Sequence, residues 1–341
     1  MPPRRAGTLS VLVKHDAVAR EEGDRVLAAL KRAGARSQEV YRAKDAKGDL
    51  LIVVGDSAFL LSAFHEAPSD LPVLGVGGAG FGVLTEVTVA QFESSVKRIL
   101  AGDWWVEEVD RMSCRVGGVE RAVALNEAAL LASTPGQFVR HTLWVGDELI
   151  WRDRGDGLIV ATPTGSTAYA LAAGGPVVLA DSKVFSVVPI CSSDQNRPMV
   201  VSQEGRLRVT EVAAPSGVDL VVDGRERIRV GRNDTVEIVR AEKGAPFVRL
   251  GPKHVAQLLG KLKLERELDP LLKDAPPSAK FLYKLLEYEG GMTQAEMVKE
   301  SNLSARTVRN AVGYLLARGA IAKEPSLRDA RQDVYNLKRA R

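Results

Sequence analysis

The sequence predicts an α/β domain with a parallel sheet, then an all-β domain of sandwich type, then a small helix-rich domain. Strand and helix patterns alternate over the first hundred residues, short β-rich runs replace them up to residue 250, and basic residues are concentrated after residue 274. The chain has 341 residues, about twice the usual size of one domain, which also favours several domains. We expect the domains to span residues 1–108, 109–268 and 275–341.

The N-terminal pattern is typical of a Rossmann-like sheet with crossover helices. Asp16 can cap a helix that Gly34 ends, and Thr88 with Gln91 forms a capping box for a helix ending near Gly102. Continuous apolar runs indicate strands that are buried on both faces. These runs are Leu9–Val13, Leu50–Val54 and Leu71–Val76.

Between residues 111 and 250, β-rich runs alternate with Gly, Asp and Asn at the spacing expected of a sandwich. Gly146-Asp147 is such a turn signal and separates the β-rich runs Thr142–Val145 and Glu148–Trp151. Gly251–Leu264 then has a helical pattern, and we expect this helix to return to the first domain. The other β-rich runs are Leu158–Ala161, Val184–Ile190, Leu207–Val212, Leu220–Val222 and Thr235–Val239.

Composition excludes several classes of protein. The chain is 45% hydrophobic and 26% charged, which is an ordinary globular mixture rather than that of a disordered chain. The longest uncharged stretch, Gly157–Ala180, contains prolines and glycines, so we expect no membrane span. No apolar segment follows the basic N-terminus, so we expect no secretory signal and a cytoplasmic location.

The cysteines and histidines do not predict a metal site. Cys114 and Cys191 are too few for a disulfide framework, and we expect both to be buried as small apolar side chains. The four histidines lack ligand spacing, so we expect ordinary surface or loop residues and assign no metal ligands in the chain. The histidines are His15, His65, His141 and His254.

The C-terminal segment is basic. Residues 275–341 contain 12 Lys or Arg against 7 Asp or Glu, whereas the preceding residues contain 35 against 36. A helical apolar stripe is followed by capping signals at Thr293 and Ser304, and then by two strand-like runs, Ile321–Lys323 and Val334–Leu337. This order predicts a winged helix-turn-helix domain.

Such a domain would bind duplex DNA through the helix that begins after Ser304. Arg and Asn side chains suit the edges of guanine and adenine in the major groove. We therefore predict base contacts by Arg306, Thr307, Arg309 and Asn310, and phosphate contacts by Arg328, Arg331 and residues 338–341. The alternative is a winged helix that serves dimerisation, with its charges simply solvated.

The most informative segment runs from Asp156 to Pro176, where a strand leads into a loop rich in Gly, Ser and Thr before a helix. Such a loop offers many backbone N–H groups and hydroxyls, which suits a phosphate or polyhydroxyl ligand. The alternative is a tight turn whose hydroxyl groups bond to their own backbone.

This segment resembles the signature of the NAD kinase family. In both, Asp-Gly-Leu, Thr-Pro-Thr-Gly-Ser-Thr-Ala-Tyr and Gly-Gly-Pro follow in this order. The resemblance covers roughly residues 9–255 and implies the α/β and β-rich domains of that family. The further matching motifs are Gly75-Val76, Gly82, Leu84–Glu86, Asn126-Glu127, Val188–Ile190, Asn196–Pro198 and Val222–Gly224.

The resemblance implies phosphoryl transfer to the 2′-hydroxyl of the adenosine ribose of NAD, which gives NADP. It implies ATP or polyphosphate as donor, a divalent metal (Mg²⁺) bound with that donor, and a homodimer or homotetramer. Asp56 would be the general base and ribose ligand, next to Ser57 in the phosphate-binding turn. Asn126 and Glu127 would hold the dinucleotide around the ribose.

The resemblance also implies an adenine site and further dinucleotide contacts. Arg154 and Asp156 would meet the dinucleotide, in this family sometimes across a subunit boundary, and Arg225 stands where the family often has Gln. The residues that would line the adenine are Thr167, Ala168, Tyr169, Ala170, Leu171 and Ala172.

Two turns depart from the family pattern. The family has Gly-Gly-Asp-Gly-Thr where this chain has residues 54–58, Val-Gly-Asp-Ser-Ala, and Asn-Thr-Gly where it has Gly77-Gly78-Ala79. The first change removes glycines that let backbone approach phosphate. Two hypotheses therefore remain: an NAD kinase with an added DNA-binding domain, or a transcription regulator that senses NAD(H) or NADP(H) without turnover. A lipid or sugar kinase fits the signature segment less well.

Overall fold

The computed structural model describes residues 7–77, 83–251, 275–289, 292–301, 303–325 and 333–337. The chain divides into two compact units, Met1–Leu259 and Gly260–Arg341. The predicted α/β and β-rich domains thus lie within one unit. The predicted helix over Gly251–Leu264 falls almost entirely outside the described residues. Within the described residues, no helix is long and apolar enough to cross a membrane.

A seven-stranded sheet and three helices form the α/β part of the first unit. The strands are β1 (Leu9–Val13), β2 (Ser37–Val40), β3 (Leu50–Val54), β4 (Val73–Gly77), β5 (Val87–Thr88) and β6 (Trp105–Val109), joined by the late strand β19 (Ala245–Arg249). The helices are α1 (Ala17–Arg32), α2 (Ser57–Glu66) and α3 (Val89–Ala101).

The order of this sheet is β2-β1-β3-β4-β19-β6, and β5 pairs with β4. The pairs from β2 to β19 are parallel, whereas β6 is antiparallel to β19. The predicted strands over Leu9–Val13 and Leu50–Val54 are confirmed. The third begins at Val73 rather than Leu71, because Pro72 between them has no N–H to donate.

The predicted helix ends are also confirmed. Asp16 accepts the Ala19 N–H at 2.8 Å. Thr88 and Gln91 make both hydrogen bonds of the capping box, and Gly102 ends α3 in a left-handed conformation with φ 77°. These signals act within one helical turn, which is why sequence alone predicts them.

Two six-stranded antiparallel sheets form the β-rich part of the first unit. One has the order β11-β10-β15-β18-β7-β8 and the other the order β14-β13-β12-β9-β16-β17. Apolar residues of both sheets share one buried core, which includes Cys114, Leu143, Leu158 and Phe185. The strands are β7 (Met112–Val116), β8 (Val119–Ala124), β9 (Glu127–Ala132), β10 (Val139–Val145), β11 (Glu148–Gly155), β12 (Gly157–Ala161), β13 (Val184–Ile190), β14 (Met199–Ser202), β15 (Leu207–Ala213), β16 (Val218–Val222), β17 (Glu226–Val230) and β18 (Val236–Arg240).

The second unit has its own buried core, to which Leu282, Met297, Val312 and Tyr335 contribute. Three helices and three short strands surround this core in the described residues, and the strands form a sheet of order β20-β22-β21. In chain order the elements are α5 (Pro277–Glu289), β20 (Met292–Thr293), α6 (Gln294–Ser301), α7 (Ala305–Ala317), β21 (Ile321–Pro325) and β22 (Asp333–Leu337).

The caps in the second unit agree with the sequence signals. Glu296 and Thr293 bond reciprocally, and Ser304 accepts the Thr307 N–H at 3.1 Å. The predicted phosphate contacts Arg328, Arg331 and residues 338–341 lie outside the described residues.

Candidate active site

Asp56 lies at the carboxyl end of β3 and caps α2. Its Oδ1 accepts the Phe59 N–H at 2.8 Å, and its Oδ2 accepts a hydrogen bond from Lys14 Nζ at 2.6 Å. Its side chain is 46% exposed, so the carboxylate is accessible to a ligand. The carboxyl end of a parallel sheet is the usual ligand-binding edge of an open α/β fold.

Lys14 is a site residue that the sequence reasoning missed. It follows β1, and β1 pairs with β3 so that Val13 lies beside Val54. The residues that follow these two strands are therefore neighbours. The hydrogen bond to Asp56 raises the pKa of Lys14, and Asp16 adds a second carboxylate at 3.3 Å. Adjacency of β1 and β3 is the signal that would have identified this lysine.

Ser57 replaces a glycine of the family turn, and its hydroxyl has a structural partner. The Leu84 N–H donates to Ser57 Oγ at 3.2 Å, so the start of α2 is tied to the segment that follows β4. Of the three changed residues of the neighbouring loop, Gly77 ends β4, and Gly78 and Ala79 lie outside the described residues.

Asn126 and Glu127 lie at the start of β9, against the loop of the signature segment. The Thr162 N–H donates to the Asn126 carbonyl oxygen at 2.9 Å, and Thr162 Oγ1 donates to the Leu125 carbonyl oxygen at 2.6 Å. A Cβ on Gly165 would overlap the Asn126 backbone, so this close approach requires glycine. Loop and strand are therefore held in one fixed arrangement.

Two polar atoms of this arrangement are buried without a partner, namely Asn126 Oδ1 and Glu127 Oε2. Burial and the nearby charge of Asp223 raise the pKa of Glu127 to about 7, although the Tyr169 N–H, which donates to its carboxylate, acts in the opposite direction. An unpaired buried acceptor is costly. A ligand with hydroxyl or N–H donors would satisfy both atoms.

Asp223 fixes the backbone of the Asn-Glu pair, and the sequence reasoning gave it no role. Its carboxylate accepts the N–H groups of Leu125, Asn126 and Glu127 at 2.7, 2.8 and 2.9 Å. Its backbone adopts a left-handed conformation with φ 49°. The Val222–Gly224 motif is the sequence signal for this residue.

His65 contacts the same carboxylate, with Nε2 at 2.7 Å from Asp223 Oδ2. The prediction that it is an ordinary surface or loop histidine is wrong, because it lies on α2 and its side chain is only 13% exposed. His141 is likewise buried, in β10. His65 thus links α2, which Asp56 caps, to the turn that holds Asn126 and Glu127.

Tyr169 and Asp156 lie near each other on the exposed side of the signature loop. The loop contains a 3₁₀ turn at Gly165–Thr167 and the one-turn helix α4 (Tyr169–Ala172). Tyr169 is 41% exposed, and its pKa is raised by burial and by the Asp156 charge. Ala168 and Leu171 are half-buried, Ala172 is exposed, and Ala170 packs in a core cluster with Ile159 and Val188.

Cys114 is buried, as predicted. Cys191 is exposed, so the prediction that it is buried is wrong. Cys191 follows β13 in a left-handed conformation with φ 48°, which carries its side chain away from the core. Its thiol is hydrogen-bonded to Asp156, which raises the pKa of the thiol.

The remaining predicted residues lie on different parts of the first unit. Arg225 bonds to Ser62 and, at 3.2 Å, to Glu66 on the last turns of α2. At 1.5 Å per residue, Ser62 and Glu66 lie about 9 and about 15 Å along the helix from Asp56. Arg154 is exposed, with its guanidinium 5.6 Å from the Phe138 ring centroid. The structure therefore brings together Asn126, Glu127, the 162–172 loop and Asp156, while Asp56 shares no described hydrogen bond with them.

A parallel α/β sheet with an accessible carboxylate at its carboxyl edge, joined to a β-sandwich with unpaired buried acceptors, defines a nucleotide-binding enzyme. A family profile described as the ATP-NAD kinase C-terminal domain matches residues 125–250. The NAD kinase of Clostridium perfringens is 32% identical over an alignment of 218 residues that covers 62% of this chain and 79% of that protein. The NAD kinase of Methanopyrus kandleri is 34% identical over 212 residues, or 62% and 76%.

Solved structures agree with these sequence relatives. An NAD kinase from Archaeoglobus fulgidus in complex with ATP superposes with a TM-score of 0.64 at 28% identity, covering 75% of this chain and 99% of that one. A yeast NADH kinase complexed with NADH has the same fold, with a TM-score of 0.68 at 18% identity, covering 78% and 89%. The chain therefore belongs to the NAD kinase family, and it is an enzyme with that activity.

Proposed function

We propose that the protein phosphorylates the 2′-hydroxyl of the adenosine ribose of NAD, with Asp56 as general base. The observation that carries this assignment is the pair of unpartnered acceptors, Asn126 Oδ1 and Glu127 Oε2, beside the signature loop. Ribose hydroxyls could donate hydrogen bonds to both of these oxygen atoms. Asp223 and Gly165 hold the pair in place before the ligand arrives, so little ordering is needed on binding.

Asp56 is suited to take the proton of the attacking hydroxyl. The Phe59 N–H fixes one carboxylate oxygen, and among the described residues the accessible second oxygen is hydrogen-bonded to the Lys14 side chain. Lys14 can remain paired with Asp16 at 3.3 Å when Asp56 engages the hydroxyl. Its positive charge would then lie close to the transferred phosphoryl group, where it stabilises developing negative charge.

The phosphoryl donor would be ATP or polyphosphate. Mg²⁺ would enter with this donor and neutralise its charge. In the described part of the chain, no group of three or more His, Cys, Asp or Glu side chains could hold a metal ion by itself. The chain would contribute Lys14 and the backbone N–H groups at the start of α2 to the donor.

The decisive experiment is incubation of the purified protein with NAD, Mg²⁺ and either ATP or polyphosphate, with chromatographic detection of NADP. We expect NADP in at least one mixture and none without a donor. NAD binding by calorimetry without NADP in either mixture would favour the sensor over the enzyme. NADH tested in parallel would give the preferred redox form.

We infer that the second unit is a winged helix-turn-helix domain that binds duplex DNA. Its elements follow the order helix, strand, helix, helix and hairpin. Arg306, Arg309 and Asn310 are exposed near the start of α7, while Val308 and Val312 are buried beneath them. Thr307 is less available for DNA, because its hydroxyl hydrogen-bonds with that of Ser304 at 2.9 Å.

Binding of a fluorescent duplex should therefore weaken steeply with salt, since phosphate contacts release counterions. Arg306→Ala combined with Arg309→Ala should weaken binding at low salt by at least tenfold. Lys280→Ala with Lys299→Ala removes the same charge from α5 and α6 and is the control. A wild-type protein that binds no duplex at low salt would instead make this domain a protein-contact module.

A further inference from the structure

A basic cleft of about 1030 Å³ opens on the β-rich part of the first unit, apart from the residues around Asp56. Its lining includes four arginines and no Asp or Glu. Arg154 is the one lining residue that also belongs to the predicted dinucleotide site. The arginines are Arg140, Arg154, Arg229 and Arg232.

Two of these arginines face each other across neighbouring strands. Arg140 of β10 lies directly opposite Arg154 of β11, and both are exposed. Like charges at opposed positions of an antiparallel pair destabilise the sheet unless an anion lies between them. Neither guanidinium, nor that of Arg232, has a carboxylate within 4.0 Å among the described residues. The cleft thus has three cations that the described part of the chain does not neutralise.

Arg229 is held in a fixed position in the same cleft. Its guanidinium donates to the Ser216 carbonyl oxygen at 2.7 Å, to Ser133 Oγ and, at 3.3 Å, to Asp219. It crosses directly over Gly217, where a Cβ would overlap it, and Gly217 adopts φ 84°. This turn therefore admits only glycine without strain. The folded protein therefore holds the Arg229 side chain in place before any ligand binds.

The cleft also has an apolar surface. Phe138 is 53% exposed, and the Arg154 guanidinium lies over its ring. The cation–π contact orients Arg154 without using its N–H donors, which remain available for a ligand. Guanidinium groups bind phosphate oxygens through paired N–H donors, and four of them around one cleft exceed what a single phosphate requires.

We propose that this cleft binds a chain of two or more phosphoryl groups, as found in inorganic polyphosphate or in a nucleoside di- or triphosphate. The charge and spacing of the arginines supply the recognition, and the Phe138 ring would contact a base if the ligand carries one. This site is additional to the proposed donor site at Asp56, and it does not depend on catalytic turnover.

Isothermal titration of the full chain with tripolyphosphate tests the proposal, with ADP as the nucleotide probe. Arg140→Ala combined with Arg232→Ala should remove one class of tripolyphosphate sites, or weaken it by tenfold or more. Arg32→Ala with Arg36→Ala removes two exposed charges elsewhere on the first unit. This control should bind tripolyphosphate as the wild-type protein does. Phe138→Ala distinguishes a nucleotide ligand from inorganic polyphosphate. If a base stacks on the Phe138 ring, this variant should bind ADP more weakly and tripolyphosphate as before.

Equal tripolyphosphate binding by the cleft variant and its control would overturn the proposal. Light scattering on the same samples measures the molar mass, and so tests whether the cleft is instead a contact between copies of the chain. A changed molar mass with unchanged tripolyphosphate affinity would assign the cleft to that contact. Circular dichroism confirms that both variants are folded.

Discussion

Glu127 couples the candidate site to pH. Its pKa is raised from an ordinary value near 4.5 to about 7 by burial and by the Asp223 charge. Between these values the folded protein binds the proton more tightly than the unfolded chain does. Stability therefore falls as the pH rises through this window, and above pH 7 the cost is about 3 kcal/mol.

Glu127→Gln should remove this cost. We expect the free energy of unfolding at pH 8 to exceed that of the wild-type protein by up to about 3 kcal/mol, with the difference shrinking toward pH 5. Urea denaturation at the two pH values measures it. Exposed Glu204→Gln is the control and should show no such trend. A gain of equal size at both pH values would mean that ionisation of Glu127 is not its cause.

Asp56→Asn should lower turnover by about 10²–10⁴-fold, since it removes the proposed base but keeps a helix cap. NAD affinity, measured by calorimetry, should change little. Asp16→Asn is a matched control, because Asp16 is also a helix cap and lies 3.3 Å from the same Lys14. Loss of turnover in both variants would show that the charge around Lys14 matters, rather than a base at Asp56.

Local signals at single residues were predictable, whereas contacts between distant residues were not. The caps at Asp16 and Thr88 involve partners three residues away, so the sequence contains both members of each pair. Lys14 and Asp56 are 42 residues apart, and His65 and Asp223 are 158 apart. Those two pairs exist because the sheet order and the packing of α2 bring them together.

At the scale of elements, the signature loop is positioned by its contact with the start of β9. Gly165→Ala would force the loop away from the Asn126 backbone. We expect a loss of about 1–3 kcal/mol in stability, as for overpacking, together with weaker NAD binding. Gly205→Ala is the control, since its added Cβ would meet only the Ser202 carbonyl oxygen at 3.6 Å.

Urea denaturation and NAD titration of both glycine variants decide this point. Weakened stability with unchanged NAD affinity would separate the loop from the dinucleotide site. The sequence rich in Gly, Ser and Thr predicted a binding loop that leads into a helix. It did not predict that this helix has only one turn. The α-helical part of this loop is limited to Tyr169–Ala172, because Gly174-Gly175-Pro176 follows within one turn.

At the scale of the whole molecule, the two units have separate buried cores. A chain that ends at residue 274 should therefore keep NADP formation within about threefold of the full chain, since no proposed catalytic residue lies beyond it. Duplex DNA binding should be lost in the same protein. Coupled assays on the two chains measure both activities, and a shortened chain that folds but makes no NADP would contradict the separation.

The late strand β19 has a consequence for synthesis. It pairs with β4 and β6, and β6 joins the first sheet only through it. More than a hundred residues of β-rich sequence are translated between β6 and β19, so the ribosome releases most of the sheet long before its last central strand. Until residue 249 has left the exit tunnel, the Val73 end of β4 lacks its β19 neighbour and β6 has no partner strand in this sheet. The first sheet can therefore close only after the whole inserted sandwich sequence has been synthesised.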